Sequence, residues 1–258
     1  MPDSRISLAS RLRAGETVVT AWSSLAAPIL SELMAHSGYE AIALDMQHGL
    51  HDIASVRDAI ASIIAGGAHP AVRVAVDDFA TASRVLDFGA EAVIMPMVNS
   101  AEDALALVAA TKFPPLGARS WAPHQAARRL GYDGLADYTG RANEETLAFA
   151  MVETPTALAA LDDICEVEGL DGIYVGPSDL SFTLSEGDSV DPTGKRAMEV
   201  SAEIAARVTS KGKIAAIYCM TPEHAKAAIG MGYRYVTLGS DQAFIASGVS
   251  ELLSRLKD

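Results

Sequence analysis

The sequence predicts a single (β/α)8 barrel, on three observations. Four segments share one grammar: "SGYEAIALD" (37–45), "FGAEAVIMP" (88–96), "EGLDGIYVG" (168–176) and "MGYRYVTLG" (231–239) each carry a helix-ending glycine, a polar or small residue and a short strand. Between the strands lie amphipathic stretches such as 52–67 and 81–89, with apolar residues three and four apart. The strands themselves are near-continuous runs of Val, Ile, Ala and Leu, which suits a parallel sheet covered on both faces.

The elements follow in order. "TVVTAW" (17–22) is the first strand and "SGYEAIALD" holds the second; "HPAVRVA" (69–75) is the third and "FGAEAVIMP" holds the fourth. "TLAFAMVET" (146–154), "EGLDGIYVG", "KIAAIYC" (213–219) and "MGYRYVTLG" complete eight. A doubly wound open sheet is the alternative, but it wants a GxGxxG turn after the first strand, and "AWSSLAAP" offers none. The segment at about 111–145 is too long for an ordinary βα connection and reads as a subunit contact or a lid, with an inert scaffold loop as the alternative; 185–196 reads as a solvated connector. The whole chain, 1–258, is expected to be one domain.

Composition narrows the function classes. The chain is 50% hydrophobic and 21% charged, enough for a substantial core. Its net charge of −13 and lack of a basic cluster argue against nucleic acid, whose binding rests on Lys and Arg neutralising phosphates. The N-terminal stretch lacks an apolar signal core, and no run approaches the roughly 20 apolar residues that span a bilayer. A soluble, cytoplasmic protein with no membrane partner is expected. Cys165 and Cys219 lack CxxC spacing and read as small buried hydrophobes.

In a parallel barrel the active site lies at the C-terminal ends of the strands. The residues leaving those ends are Trp22, then Asp45, Gln47 and His48, then Arg73, Glu153, and Ser178 with Asp179. Glu153 and Asp179 are one βα unit apart, so their carboxylates should sit side by side, where a hard divalent cation relieves their repulsion. Each could instead cap the helix that follows. Arg73 either grips an oxyanion or forms a structural ion pair. His48, three residues beyond Asp45, is either a general base whose ring the carboxylate orients or a structural histidine. Gly176 and Pro177 make a tight turn that leaves backbone N–H groups at a helix start, suited to a small carboxylate or simply to the turn.

Taken together, Trp22, "SGYEAIALDMQH", Arg73, "VLDFGAEAVIMPMV", "FPPLGARS", "VET" and "VEGLDGIYVGPSDLS" resemble the HpcH/HpaI family of metal-dependent (class II) pyruvate aldolases, from about Trp22 to Asp241. The resemblance implies a divalent metal (Mg²⁺ or Mn²⁺, with Co²⁺, Ni²⁺ or Zn²⁺ as alternatives) on Glu153 and Asp179, and no organic cofactor. It implies His48 as acid/base, Arg73 as stabiliser of oxyanion charge, and Asp87 as an aspartate that raises the histidine's basicity. By the same likeness the Ser178 N–H meets the substrate carboxylate, Gly176, Pro177 and Asp179 line the substrate site, and Trp22 walls the aldehyde pocket. Asp45 and Gln47 stand behind them. The implied substrates are a 2-oxo acid, pyruvate or hydroxypyruvate, and an aldehyde. The implied assembly is a homohexamer in which a helix is exchanged, with the C-terminal helix packing on a neighbour.

Two positions depart from the family pattern. Its D-x-E-H reads Asp45-Met46-Gln47-His48, an amide that keeps a hydrogen bond but not a charge. Met151 stands where a family member carries a substrate-contacting glutamine. The rival chemistries are a class I aldolase, needing a lysine at the mouth, an acyl-CoA lyase of the malyl-CoA or citramalyl-CoA type, and a non-catalytic 2-oxo acid binding protein.

Overall fold

The computed structural model describes residues 6–256. Eight parallel strands, β1 (Val18–Ser23), β2 (Ala41–Asp45), β3 (His69–Arg73), β4 (Ala92–Met95), β5 (Leu147–Val152), β6 (Gly172–Val175), β7 (Ile214–Cys219) and β8 (Tyr235–Ser240), close in sequence order into a TIM barrel. Around them run α1 (Leu8–Arg13), α2 (Pro28–His36), α3 (Ile53–Ala65), α4 (Phe79–Phe88), α5 (Ala101–Thr111), α6 (His124–Arg129) and α7 (Leu135–Glu145). The series continues with α8 (Pro155–Ala159), α9 (Leu161–Glu166), α10 (Pro177–Leu184), α11 (Lys195–Ser210), α12 (Pro222–Met231) and α13 (Asp241–Arg255). The repeat glycines Gly38, Gly89, Gly169 and Gly232 have φ of 107°, 107°, 86° and 109°, the left-handed turn that ends a helix and feeds a strand.

Alternation along each strand sorts the side chains into two cores. Ile42, Leu44, Val72, Val93, Ile173 and Ile217 point outward and pack under the helices. Val18, Ala43, Ala71, Phe149, Ala216 and Tyr235 point inward and fill the barrel, whose lower end is plugged by Leu8, Ala9 and Leu12 of α1. β3 and β5 stop earlier than the apolar runs suggest, at Arg73 and Val152. Their last residues leave the ladder to form the mouth.

The 111–145 excursion folds into α6 and α7 over its own cluster of Phe113, Ala126, Ala127, Tyr138 and Ala142. At the other end of the chain α13 leaves Ile245, Val249, Leu252 and Leu253 at least half exposed. Cys165 and Cys219 are buried and free. Among the described residues no helix is long and apolar enough to cross a membrane.

Candidate active site

Inward alternation carries Trp22, Asp45, Arg73, Met151, Glu153, Tyr174 and Tyr218 to the C-terminal end of the barrel. There a cavity of about 310 Å³ is lined by Trp22, Ser24, His48, Arg73, Met151 and Glu153, by Tyr174, Gly176, Pro177, Ser178 and Asp179, and by Tyr218, Met220 and Ser240. Asp45 lies directly beneath.

Asp45 and Arg73 are register partners on adjacent strands. The Arg73 Nε–H donates to Asp45 Oδ1 at 2.9 Å and Nη2–H to Oδ2 at 2.7 Å, a bidentate fork in which Asp45 is 2% and Arg73 8% exposed. Trp22 Nε1–H reaches the same Oδ2 at 3.2 Å, and the guanidinium lies 4.8 Å from the Trp22 ring centroid. The backbone N–H groups of Gln47 and His48 donate to Oδ1 at 3.0 and 3.2 Å. Burial alone would raise the Asp45 carboxyl; the Arg73 hydrogen bonds and charge, with these N–H groups, outweigh it and hold the carboxyl below its usual range.

This corrects two sequence expectations. The Asp45 carboxylate fixes the backbone that carries His48 and is held by Arg73, so its bonds do not go to the imidazole ring; His48 itself is exposed at the mouth. The Gln47 amide oxygen, expected to keep a hydrogen bond, is buried without a partner among the described residues.

Glu153, 2% exposed, leaves β5 beneath the cavity and accepts the Met97 N–H on Oε2 at 3.0 Å. Met97 adopts φ 56°, an unfavourable left-handed turn after β4 that aims this N–H. A Cβ at Gly176 would come within 2.3 Å of Glu153 Oε1, so a larger residue there would displace the carboxylate. Burial pushes the Glu153 carboxyl up to about 7, opposed by the Met97 N–H, reinforced by the Asp179 charge and opposed again by Arg73. Asp179 is exposed in the first turn of α10, facing the same cavity.

A buried carboxylate with a raised pKa and a second carboxylate within electrostatic reach is a hard oxygen donor set that a divalent cation suits. Among the described residues no group of three or more His, Cys, Asp or Glu gathers at one point. A cation on this pair would keep most of its coordination sphere for water and substrate oxygens, the habit of Mg²⁺.

Asp87 stands apart from the other predicted site residues. It lies on α4, where its carboxylate takes Arg119 Nη2–H at 2.6 Å, and it does not line the cavity. No residue of the 111–145 excursion lines the cavity either.

Sequence reasoning missed Ser24, Tyr174, Tyr218, Met220 and Ser240. Their signal was inward parity on β6 and β7, position just after β1 and β7, and the last place on β8. Also unforeseen was Asp241, 3% exposed, which accepts the N–H groups of Ser24 and Leu25 at 2.9 Å each and the Ser23 hydroxyl at 3.1 Å. It ties the start of α13 to the mouth. Ser23 Oγ also meets the buried His51 Nε2 at 3.0 Å.

Known proteins resemble this chain in sequence and fold. The HpcH/HpaI aldolase/citrate lyase model matches residues 19–247. A hydroxypyruvate/pyruvate aldolase of Rhizorhabdus wittichii is 32% identical over 240 residues, covering 93% of this chain and 94% of that protein. A 2-keto-3-deoxy-L-rhamnonate aldolase of Escherichia coli is 30% identical over 248 residues, covering 96% and 91%. The crystal structure of the citrate synthase SbnG superposes with a TM-score of 0.86 at 29% identity, covering 97% of each chain. With the family model spanning the barrel from β1 into α13, the chain belongs to the HpcH/HpaI aldolase/citrate lyase family of enzymes.

Proposed function

We propose that this enzyme is a class II aldolase joining a 2-oxo acid, pyruvate or hydroxypyruvate, to an aldehyde and cleaving the resulting 4-hydroxy-2-oxo acid. The observation that carries the reading is that Glu153, Asp179, His48 and Arg73 all line one cavity.

Glu153 and Asp179 are the residues to hold Mg²⁺ or Mn²⁺, which supplies Lewis-acid stabilisation of charge on the keto oxygen. The chain's own groups do the rest. Backbone N–H groups at the start of α10, around Ser178, receive the substrate carboxylate. Arg73, fixed by Asp45, presents its remaining N–H to the oxygen on which charge develops. His48, exposed at the mouth, moves the proton at the aldehyde oxygen, directly or through water. An acyl-CoA substrate fits less well: Arg73 is the single lysine or arginine lining the cavity among the described residues, and its charge is met by Asp45.

The exposed apolar row of α13 supports self-association, the homohexamer that the family resemblance implies. Light scattering on the purified protein tests it; a monomer would remove that part of the reading.

The function itself is tested by proton NMR of pyruvate in D₂O. Metal-dependent loss of the methyl signal, abolished by EDTA, is the expected result. No exchange with any of Mg²⁺, Mn²⁺, Co²⁺, Ni²⁺ or Zn²⁺ would overturn it.

A further inference from the structure

The closed strand order sets β7, β8 and β1 side by side, with β7 paired to β6, so the wall they form runs on from the carboxylate-bearing ends of β5 and β6. On that wall the cavity is lined by Ser24, Tyr218 and Ser240, with Trp22 and Met220 beside them. All three hydroxyl-bearing side chains are uncharged.

This wall is held in place before any ligand arrives. Tyr218 packs edge-on against Trp22, with ring centroids 5.6 Å apart, and its phenol interacts with the Ser240 side chain. Ser24 is fixed through its N–H to the buried Asp241 at 2.9 Å, and Ser240 is the residue directly before that aspartate. The site's arginine is committed to Asp45 by two hydrogen bonds, so nothing on this wall offers a positive charge to a second carboxylate.

We propose that Tyr218, Ser24 and Ser240 form the subsite for the acceptor, and that they select a neutral, hydroxylated short-chain aldehyde over deoxy and carboxylated ones. This deepens the aldolase reading and rests on it. A 2-oxo acid seated against Glu153, Asp179 and Ser178 leaves the adjoining β7–β8–β1 side of the cavity for the acceptor, whose carbons beyond the carbonyl then lie along the hydroxyl-bearing wall. Substrate hydroxyls exchange hydrogen bonds with water for hydrogen bonds with Tyr218, Ser240 and Ser24. A methyl in their place would leave those groups facing an apolar surface, which is the costly case.

The test measures kcat/KM with pyruvate and Mg²⁺ or Mn²⁺ for three acceptors: DL-glyceraldehyde, propanal and succinic semialdehyde. Expected is a preference for glyceraldehyde over propanal of at least about tenfold, the worth of one or two hydrogen bonds, with succinic semialdehyde the poorest acceptor. In Tyr218→Phe, and in Ser240→Ala, the glyceraldehyde-to-propanal ratio should fall several-fold toward unity; a ratio is insensitive to a general loss of activity. Equal use of glyceraldehyde and propanal by the wild type, preference for the semialdehyde, or a ratio unchanged in both variants would overturn the subsite. The pyruvate exchange assay run alongside separates the causes: exchange with the wrong acceptor pattern refutes the subsite alone, and absence of exchange refutes the aldolase reading and the subsite with it.

Discussion

Asp45 and Arg73 sit opposite each other on β2 and β3 and join through two hydrogen bonds, at 2.9 and 2.7 Å, buried at the barrel mouth. The pair sets the plane of the guanidinium, takes up the Trp22 indole N–H, and holds the backbone that presents His48. One carboxylate thus places three predicted site residues.

Asp45→Asn removes the charge while keeping the shape. Leaving a buried guanidinium without its counter-ion should cost about 3 kcal/mol of stability. Because Arg73 would no longer be held toward the reacting oxygen, kcat should fall roughly 100-fold. Arg73→Lys should behave similarly, since an ammonium cannot reproduce the fork. Thermal melts and steady-state kinetics check both; a variant with wild-type kcat would show that the pair is not needed to position the arginine.

Glu153 gives a pH signature. Its folded carboxyl titrates at about 7, while the unfolded chain releases that proton near pH 4.3. Between those values the folded state holds a proton that the unfolded state has lost, so stability contributed by this group falls as pH rises. The loss reaches about 3 kcal/mol above pH 7. Metal-free Glu153→Gln should therefore be more stable than metal-free wild type at pH 8, with the gap closing toward pH 5. Urea melts in EDTA measure this, and parallel pH curves for the two proteins would contradict it.

Much of this was legible because local rules sufficed. Runs of Val, Ile and Ala between left-handed glycines mark the strands, and barrel chirality puts their C-terminal ends at the site, which located His48, Arg73, Glu153 and Asp179. What local rules omit is register. That Asp45 would face Arg73 and not the His48 ring depends on how β2 and β3 align, which the intervening helix determines through its packing. Met97 was invisible for a related reason: its N–H, not its side chain, does the work, and a left-handed methionine leaves no sequence signal. Asp87 shows the converse, a motif residue whose helix carries it to Arg119 on the outer ring. Tyr218 and Ser240 were passed over because an aromatic on an apolar strand and a serine before a helix read equally as core and cap.

His48→Ala should lower aldol addition and cleavage by roughly 10²- to 10⁴-fold, the usual contribution of a positioned acid/base group. The imidazole lies outside the carboxylate pair, so titration calorimetry should find Mn²⁺ affinity nearly unchanged. Glu153→Ala should do the reverse, weakening Mn²⁺ binding first. If the two variants exchange these phenotypes, the roles assigned to them are wrong.

The last prediction separates the two aldolase classes. A Schiff-base mechanism needs a lysine amine in the cavity, and no described lysine lines it. Lys112 is buried at the opposite end of the barrel, with Nζ donating to the Asn143 carbonyl at 2.9 Å and Asp171 at 2.6 Å. Lys213 donates to the Leu170 carbonyl at 2.7 Å, also before the strands begin. Lys195, Lys211 and Lys226 are exposed on or beside the outer helices. Borohydride with pyruvate should therefore leave the activity intact, and EDTA should abolish it, with Mg²⁺ or Mn²⁺ restoring it. Intact-mass detection of a reduced pyruvate adduct on a lysine, with activity surviving EDTA, would reverse the class assignment, because a covalent imine would then do the electron-withdrawing work assigned to the cation on Glu153 and Asp179.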